Sequence, residues 1–375
     1  MTSRKRWTRR QREIEVTSAV VGLEKLMPVT IEKGQFLADW AREKGWRPPK
    51  SPNGRATPTA CLNIALVNNM PDSALEDTES QFSSLLGAAA GDIPVCLRFY
   101  SLPGIARSDR ARQRLSELYF GIDDLLGDRF DGVIVTGTEP RRPDLRTEPY
   151  WSGLVDILDW AERNTSSAVL SCLAAHAGVL HSDGIERHAL GDKRFGVFDE
   201  LTLGEDALTH SAGPVVRFPH SRWNEVREDE LVSAGYTILT KSKEAGVNLF
   251  VKRKGESLFV HFQGHPEYGV DTLLKEYRRD IGRFLRGERE TYPAMPREYF
   301  DAESARLLND FQEKAENDPH KTLLAEFPER ASVLHSLQKT WHSPAVCIYR
   351  NWLRYVASKR TETSTFASTA QAGRR

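Results

Sequence analysis

The chain has 375 residues, of which 39% are hydrophobic and 28% charged, so it can form one large domain with appendages or two modest domains. Basic and acidic side chains number 52 each, which argues against general electrostatic attraction to nucleic acid or to an anionic membrane. We find no apolar run near the roughly 20 residues that cross a bilayer and no secretory segment. We therefore expect a cytoplasmic protein whose partners are small molecules.

The N-terminal part is basic and then rich in proline. Arginine and lysine crowd residues 4–12, where a nucleic-acid arm, an organelle-targeting segment or a solvated terminus would each fit. We favour the solvated terminus, because Glu13 and Glu15 follow at once. Residues 17–46 predict a helix and residues 47–54 a linker. The predicted organisation is a basic extension with its linker at 1–58, a catalytic domain at 59–357 and a disordered tail at 358–375.

From residue 60 onward, short β-branched runs alternate with helical patterns. Strands are predicted at 61–67, 95–100, 132–136, 168–171, 236–242, 248–254 and 257–263. Helices are predicted at 74–89, 108–119, 150–163, 173–180 and 271–286, with further helical material to about 357. This alternation predicts an α/β fold with a mostly parallel, doubly wound sheet and a C-terminal helical extension. In such sheets, ligands bind at the carboxyl ends of the strands.

The cysteines are few and widely spaced. They are Cys61, Cys96, Cys172 and Cys347, with no CxxC pair among them. This spacing indicates neither a disulfide framework nor a zinc knuckle. We therefore expect reduced thiols and no metal site.

One of these thiols, Cys172, lies directly after the apolar strand at 168–171 and before small helix-forming residues. This pattern predicts a strand-to-helix elbow with the thiol at the turn. The positive end of the helix would stabilise a thiolate there. The backbone N–H of Leu173 would then donate to the oxyanion of a tetrahedral intermediate. A buried structural cysteine is the alternative for this segment taken alone.

A second motif favours catalysis. His265 and Glu267 stand in Gly-His-Pro-Glu, just past the strand at 257–263. A thiol nucleophile needs a base to take and return its proton, and the base needs a carboxylate to hold its tautomer. Because parallel strands end at one edge of a sheet, Cys172, His265 and Glu267 should meet there. We predict that they form a catalytic triad.

The two motifs together resemble a known family. An elbow cysteine followed by Gly-His-Pro-Glu after a strand is similar to the flavodoxin-like, class I glutamine amidotransferase-like superfamily. Within it, the chain resembles the homoserine O-acyltransferases of methionine biosynthesis, of the O-succinyltransferase type. The resemblance spans about residues 60–357, and further segments that carry it are 66–71, 79–82, 130–137, 219–222 and 351–353. Amidotransferases proper usually show Gly-x-Cys-x-Gly, and Leu170 and Ala174 at the flanking positions disfavour glutamine hydrolysis.

This resemblance implies roles for residues and ligands. Cys172 would take the acyl group from a coenzyme A thioester, with succinyl-CoA or acetyl-CoA as co-substrate and no bound cofactor. Lys193 and Ser221 match substrate-binding residues, and Arg279 matches the arginine that holds the carboxylate of the amino acid. The family pattern also implies a homodimer. L-Homoserine is the implied acceptor, and related hydroxy-amino acids such as serine remain open.

The loop after Gly137 carries the acyl choice in that family, and Arg141 takes the position concerned. The family residues there are glutamate with acetyl donors and glycine with succinyl donors. A cation would complement the free carboxylate of a succinyl group, so we favour succinyl-CoA over acetyl-CoA. A glutaminase or hydrolase of the same superfamily and a non-catalytic binding protein are the competing functions.

Overall fold

The computed structural model describes residues 29–32, 61–328 and 335–372, and in the last range the side chains of residues 340–361. The predicted linker at 47–54 and the basic residues at 4–12 lie outside these ranges. The described strands are β1 (Val29–Ile31), β2 (Leu62–Val67), β3 (Val95–Tyr100), β4 (Gly132–Val135), β5 (Ser167–Ser171), β6 (His188–Thr202), β7 (Val215–Glu225), β8 (Thr237–Ile238), β9 (Thr240–Ser242), β10 (Gly246–Val247), β11 (Leu249–Lys254) and β12 (Ser257–Phe262).

The described α-helices connect and cover these strands. They are α1 (Asp72–Ala90), α2 (Asp109–Leu118), α3 (Ile122–Gly127), α4 (Trp151–Asn164), α5 (Leu173–Asp183), α6 (Glu228–Ser233), α7 (Thr272–Leu285), α8 (Ala302–Asn317) and α9 (His335–Ala372). Short 3-10 turns occur at Leu145–Thr147 and Lys321–Glu326. In the described ranges, we find no helix whose length and hydropathy would allow it to span a membrane.

Eight strands form the central sheet, in the order β1-β3-β2-β4-β5-β12-β11-β8. The first six strands in this order, β1 to β12, pair in parallel. The last two, β11 and β8, pair antiparallel at one edge. In β2, Ile64 and Leu66 enter one hydrophobic core, and Ala65 and Val67 enter the other. Successive side chains point to opposite faces, so a strand buried on both sides reads as a continuous apolar run. The predicted α/β class with a mostly parallel sheet is confirmed.

A second, antiparallel sheet in the order β10-β9-β6-β7 was not predicted. Its long hairpin pairs β6 with β7 and shifts register between Ala189 and Arg194. Exposed and half-buried residues fill much of both strands, so neither presents the apolar run that marks a core strand. This hairpin supplies Lys193 and Ser221.

Two predictions from the termini differ from the structure. A helix was predicted at 17–46, but Val29–Ile31 forms a strand that pairs in parallel with β3. This Val-Thr-Ile segment is rich in β-branched residues, which favour a strand. Disorder was predicted from residue 358, but α9 continues to Ala372.

The prediction of reduced thiols is wrong for Cys61 and Cys96, which form a disulfide. In the register of the parallel strands β2 and β3, Asn63 lies opposite Cys96, so Cys61 is close by. The two Cα atoms are 5.8 Å apart, within the usual range for a disulfide. The two cysteines are 35 residues apart in the sequence, so the disulfide could not be predicted without the register of the two strands. Cys172 and Cys347 are free thiols.

Candidate active site

Cys172 sits at the predicted elbow between β5 and α5. Its backbone has φ 53° and ψ −112°, and a positive φ is uncommon outside glycine. Hydrogen bonds hold this conformation, because the Cys172 N–H donates to Phe262 O at 2.7 Å and the Cys172 carbonyl accepts from Ala175 N at 3.0 Å. The half-buried thiol therefore lies at the N-terminal end of α5, where the helix dipole stabilises an anion.

Gly137 makes room for the first turn of that helix. A Cβ atom at Gly137 would lie 2.9 Å from both the backbone nitrogen and the Cβ of Leu173. The backbone after β4 therefore passes close to the N–H group that is the predicted oxyanion donor. Only glycine permits this approach without a shift of one of the two segments.

His265 and Glu267 reach the same edge of the sheet because β12 pairs in parallel with β5, Phe262 opposite Ser171. Nδ1 of His265 is 2.9 Å from Oε1 of Glu267, and both side chains are buried. The ring of Tyr268 stacks on the imidazole at a centroid distance of 4.1 Å, and His265 N–H donates to Pro219 O at 2.8 Å. These contacts fix the position of the imidazole.

The charge state of His265 follows from its neighbours. Burial lowers the pKa of the imidazole, but the negative charges of Cys172 and Glu267 and hydrogen bonds to both act in the other direction. The pKa of His265 consequently lies well above its ordinary value. This environment favours the imidazolium form of His265, supported by Glu267.

Lys193, Ser221 and Arg279 come together around two carboxylates that the sequence prediction missed, Glu276 and Asp280. Lys193 Nζ is 3.4 Å from Glu276 and 3.0 Å from Asp280, and Arg279 is 3.1 Å from Asp280. Ser221 donates a short hydrogen bond to Glu276. Glu276, Arg279 and Asp280 follow the i, i+3, i+4 spacing of one helix face, which is the signal that could have found them.

Both carboxylates are ionised. Burial raises the pKa of Glu276 and of Asp280, but the charges of Lys193 and Arg279 outweigh it and leave both pKa values below their ordinary range. The ammonium of Lys193 also lies 3.9 Å from the centroid of the Phe195 ring. Lys193 and Arg279, the two cations that match substrate-binding residues, are therefore held in place by neighbouring carboxylates.

A buried polar cluster lies behind His265. Glu200 Oε1 is 2.9 Å from Nε2 of His220, and Glu200 Oε2 accepts from Thr240 at 2.6 Å and from Asn248 at 3.0 Å. Asn248 in turn accepts from Gly264 N–H at 2.6 Å. The cluster thus fixes the backbone immediately before His265.

One cavity of about 590 Å³, here called the Cys172 cavity, collects the predicted residues. Those that line it are Cys172, Leu173, Lys193, Ser221, His265, Glu267 and Arg279. Arg141 does not line it but borders a neighbouring pocket, and its N–H donates to Glu148 Oε1 at 2.6 Å. From the same loop, Glu139 and Pro140 reach the Cys172 cavity instead. Within the described ranges, no three His, Cys, Asp or Glu side chains are grouped as a metal ion requires.

Solved structures with a similar course of the chain include two glutamine amidotransferases. The one from Thermotoga maritima is 12% identical, with a TM-score of 0.42, and the match covers 79% of this chain and 98% of that one. The one from Methylobacillus flagellatus is 16% identical, with a TM-score of 0.43, and the match covers 79% and 95%.

Sequence comparisons give much closer relatives. The homoserine O-succinyltransferase of Rhodopseudomonas palustris is 45% identical over 310 residues, which covers 83% of this chain and 92% of the relative. That of Bradyrhizobium japonicum is 47% identical over 310 residues, covering 82% and 94%. A family model described as homoserine O-succinyltransferase matches residues 48–363. The chain therefore belongs to the homoserine O-succinyltransferase family.

Proposed function

We propose that the protein transfers a succinyl group from succinyl-CoA to the hydroxyl of L-homoserine through a thioester on Cys172. In the first half-reaction, Cys172 Sγ bonds to the acyl carbon and the carbon–sulfur bond to coenzyme A breaks. In the second, the homoserine oxygen bonds to that carbon and the bond to Cys172 breaks. Family membership and the residues around Cys172 support this ping-pong sequence.

His265 moves the protons in both half-reactions. It takes the thiol proton of Cys172 and gives it to the departing coenzyme A sulfur. It then takes the hydroxyl proton of homoserine and returns it to Cys172. Glu267 holds the tautomer and stabilises the imidazolium. The Leu173 N–H would stabilise the oxyanion of each tetrahedral intermediate, a contribution of about 3 kcal/mol for such a donor.

The acceptor would lie against the cluster on β6, β7 and α7. L-Homoserine carries one carboxylate and one ammonium group at neutral pH. The guanidinium of Arg279 suits the carboxylate, and Glu276 and Asp280 offer negative charge to the ammonium. Lys193 and Ser221 would orient the groups between them. This pairing of charges supports an amino-acid acceptor.

The observation that carries the proposal is the shared cavity of an elbow thiol and a buried histidine–glutamate pair. Initial rates at varied concentrations of both substrates test it, since a ping-pong reaction gives parallel double-reciprocal lines. We expect succinyl-CoA with L-homoserine to be the productive pair. Preferred turnover of acetyl-CoA would show that acetyl-CoA is the donor. Glutamine hydrolysis without coenzyme A would indicate the amidotransferase alternative.

We also propose a cytoplasmic homodimer that acts on small molecules and binds neither nucleic acid nor membrane. The balanced charge of the chain supports the second part. Light scattering in solution tests the dimer, and a monomeric mass would contradict it. Fractionation of the cells tests the compartment.

A further inference from the structure

Six lysine and arginine side chains line the Cys172 cavity, and they differ in their partners. They are Arg187, Lys193, Arg222, Arg279, Arg283 and Arg289. Lys193 and Arg279 pair with Asp280, and Arg283 makes two 2.9 Å contacts with Glu139. Arg289 Nη2 donates to the hydroxyl of Thr291 at 3.4 Å. Lys193, Arg279 and Arg283 are therefore paired with carboxylates, whereas Arg289 bonds to a hydroxyl of its own loop.

Arg222 is buried and bonds to protein atoms through all three of its nitrogens. Its Nη1 donates to Asn224 O at 2.8 Å, and its Nη2 donates to Ala245 O. Its Nε is 3.5 Å from Nδ1 of His220. A ligand could engage this guanidinium only after breaking contacts that hold β7 in place.

Arg187 differs from Lys193, Arg279 and Arg283, because it forms no ion pair in the part of the chain that the structure describes. Its Nη2 donates to Pro143 O at 2.9 Å and to Arg142 O at 3.3 Å, so the loop after β4 holds one end of the guanidinium. The donors on Nε and Nη1 have no acceptor among the described residues. In the same loop, Glu148 Oε1 accepts hydrogen bonds from the backbone N–H groups of Arg141 and Arg142.

Arg187 also lines the same cavity as Cys172. Burial lowers the pKa of the Arg187 guanidinium, and the charges of Tyr150, Glu148, Asp144 and then Cys172 oppose this change. The guanidinium is half-buried, where a charge-assisted hydrogen bond is stronger than in water. Any carboxylate near it in the cavity would meet donors that are already held in place.

We infer that Arg187 binds the free carboxylate of the succinyl group carried by Cys172 and thereby selects a dicarboxylic acyl donor. An extended succinyl group places its carboxylate about 5 Å from the thioester sulfur. A guanidinium offers that carboxylate a planar, two-pronged partner. An acetyl group is too short and has no charge to satisfy Arg187. The inference rests on the proposed acylation of Cys172 and assigns to Arg187 the task that the sequence assigned to Arg141.

The test compares succinyl-CoA with butyryl-CoA, in which a methyl group replaces the carboxylate. Both donors carry the same coenzyme A. The ratio of their rates therefore measures the effect of the acyl carboxylate and not that of the coenzyme A phosphates. The rate of acylation of Cys172 is followed by intact-protein mass. For Arg187→Gln we expect the rate with succinyl-CoA to fall about 10- to 100-fold, and the rate with butyryl-CoA to stay the same or rise.

Two further variants complete the design. Arg187→Lys keeps the charge and should retain part of the preference for succinyl, which a purely steric role would not produce. Arg163→Gln, at an exposed position on α4, should leave both rates unchanged.

Equal slowing of both donors in Arg187→Gln would mean that Arg187 only holds the loop, and an unchanged ratio would mean that it does not contact the acyl group. Loss of the preference in Arg141→Gln, with Arg187→Gln unaffected, would return the role to Arg141. Each of these results overturns the inference and leaves the proposed function intact. Failure of both donors to label wild-type Cys172 would overturn both together.

Discussion

Two buried histidine–carboxylate pairs in this protein hold their protons in opposite ways. His265 pairs with Glu267 beside the charge of Cys172, and its pKa is raised. His220 pairs with Glu200, and burial followed by the nearby charge of Arg222 holds the pKa of His220 well below its ordinary value. Burial raises the pKa of Glu200 to about 8. In the first pair the histidine favours its charged form, whereas the second pair consists of two neutral groups near neutral pH.

Replacing Glu200 with glutamine should therefore be tolerated, since an amide mimics the protonated acid. Folding raises the Glu200 pKa from an ordinary 4.5 to about 8, so the native state binds more protons between these values. The contribution of Glu200 to stability is full below pH 4.5. It falls as the pH rises toward 8, by at most about 1.4 kcal/mol per pH unit.

Urea unfolding of wild type and Glu200→Gln at pH 5 and pH 8 measures this effect. Buried neutral histidines add their own pH dependence, but it is common to both proteins and cancels in the difference. We expect the free energy of unfolding of the variant to increase relative to that of wild type as the pH rises. A difference that is the same at both pH values would show that Glu200 is ionised throughout.

The sequence predicted the residues of the reaction better than their partners. Cys172, His265 and Glu267 each follow a strand in a short local motif, so topology alone brings them to one edge. Glu276 and Asp280 were not predicted as site residues, because their role depends on Lys193, which contacts them from the hairpin of β6 and β7. Pairings between elements far apart in sequence leave no local pattern.

At the scale of elements, the backbone at Gly137 passes close to the start of α5. In Gly137→Ala the new methyl group would push on Leu173, and we expect a loss of about 1–3 kcal/mol in stability. The N–H of Leu173 would move with it, so kcat should fall roughly 10-fold or more. Steady-state kinetics and urea unfolding measure the two effects.

Gly87 provides the matched control on α1. A Cβ atom there would meet nothing within 4 Å, so Gly87→Ala should leave kcat unchanged. It should stabilise the helix by about 0.5–1 kcal/mol, because alanine has less freedom in the unfolded chain. Normal kcat in Gly137→Ala would mean that the Leu173 N–H does not serve the reaction.

Element predictions succeeded where burial is two-sided or the helix has a clear apolar face. The strand at 95–100 was predicted with the bounds that the structure gives, and β4 and β5 differ by one residue. The hairpin of β6 and β7 was missed, since many of its side chains face solvent or the Cys172 cavity. Polar residues that line a site interrupt the alternation on which such predictions depend.

At the scale of the whole molecule, α9 ties the C-terminal part of the chain to the sheet. It packs on α1 and β7, and Trp352 is buried with its Nε1 donating to Ser167 Oγ at 2.9 Å. Gly132 makes room for the indole, because a Cβ atom there would lie 2.9 Å from the ring. Trp341 donates to Tyr268 O at 2.9 Å and so connects α9 to the residue that stacks on His265.

Removal of the Trp352 side chain should destabilise the fold strongly. For Trp352→Ala we expect a loss of about 3–5 kcal/mol in the free energy of unfolding, from the cavity and the lost hydrogen bond to Ser167. Trp223 is 48% exposed, and Trp223→Ala should cost about 0.5 kcal/mol or less. Similar losses in the two variants, measured by urea unfolding, would mean that α9 contributes little to the core.

The most direct test of the central claim is the intact mass of the protein after mixing with succinyl-CoA, with and without L-homoserine. We predict one succinyl adduct, located on Cys172, that disappears when homoserine is added and never forms in Cys172→Ala. That result would establish the nucleophile, the donor and the acceptor together. Full activity without an adduct, or an adduct that persists in Cys172→Ala, would contradict transfer through Cys172.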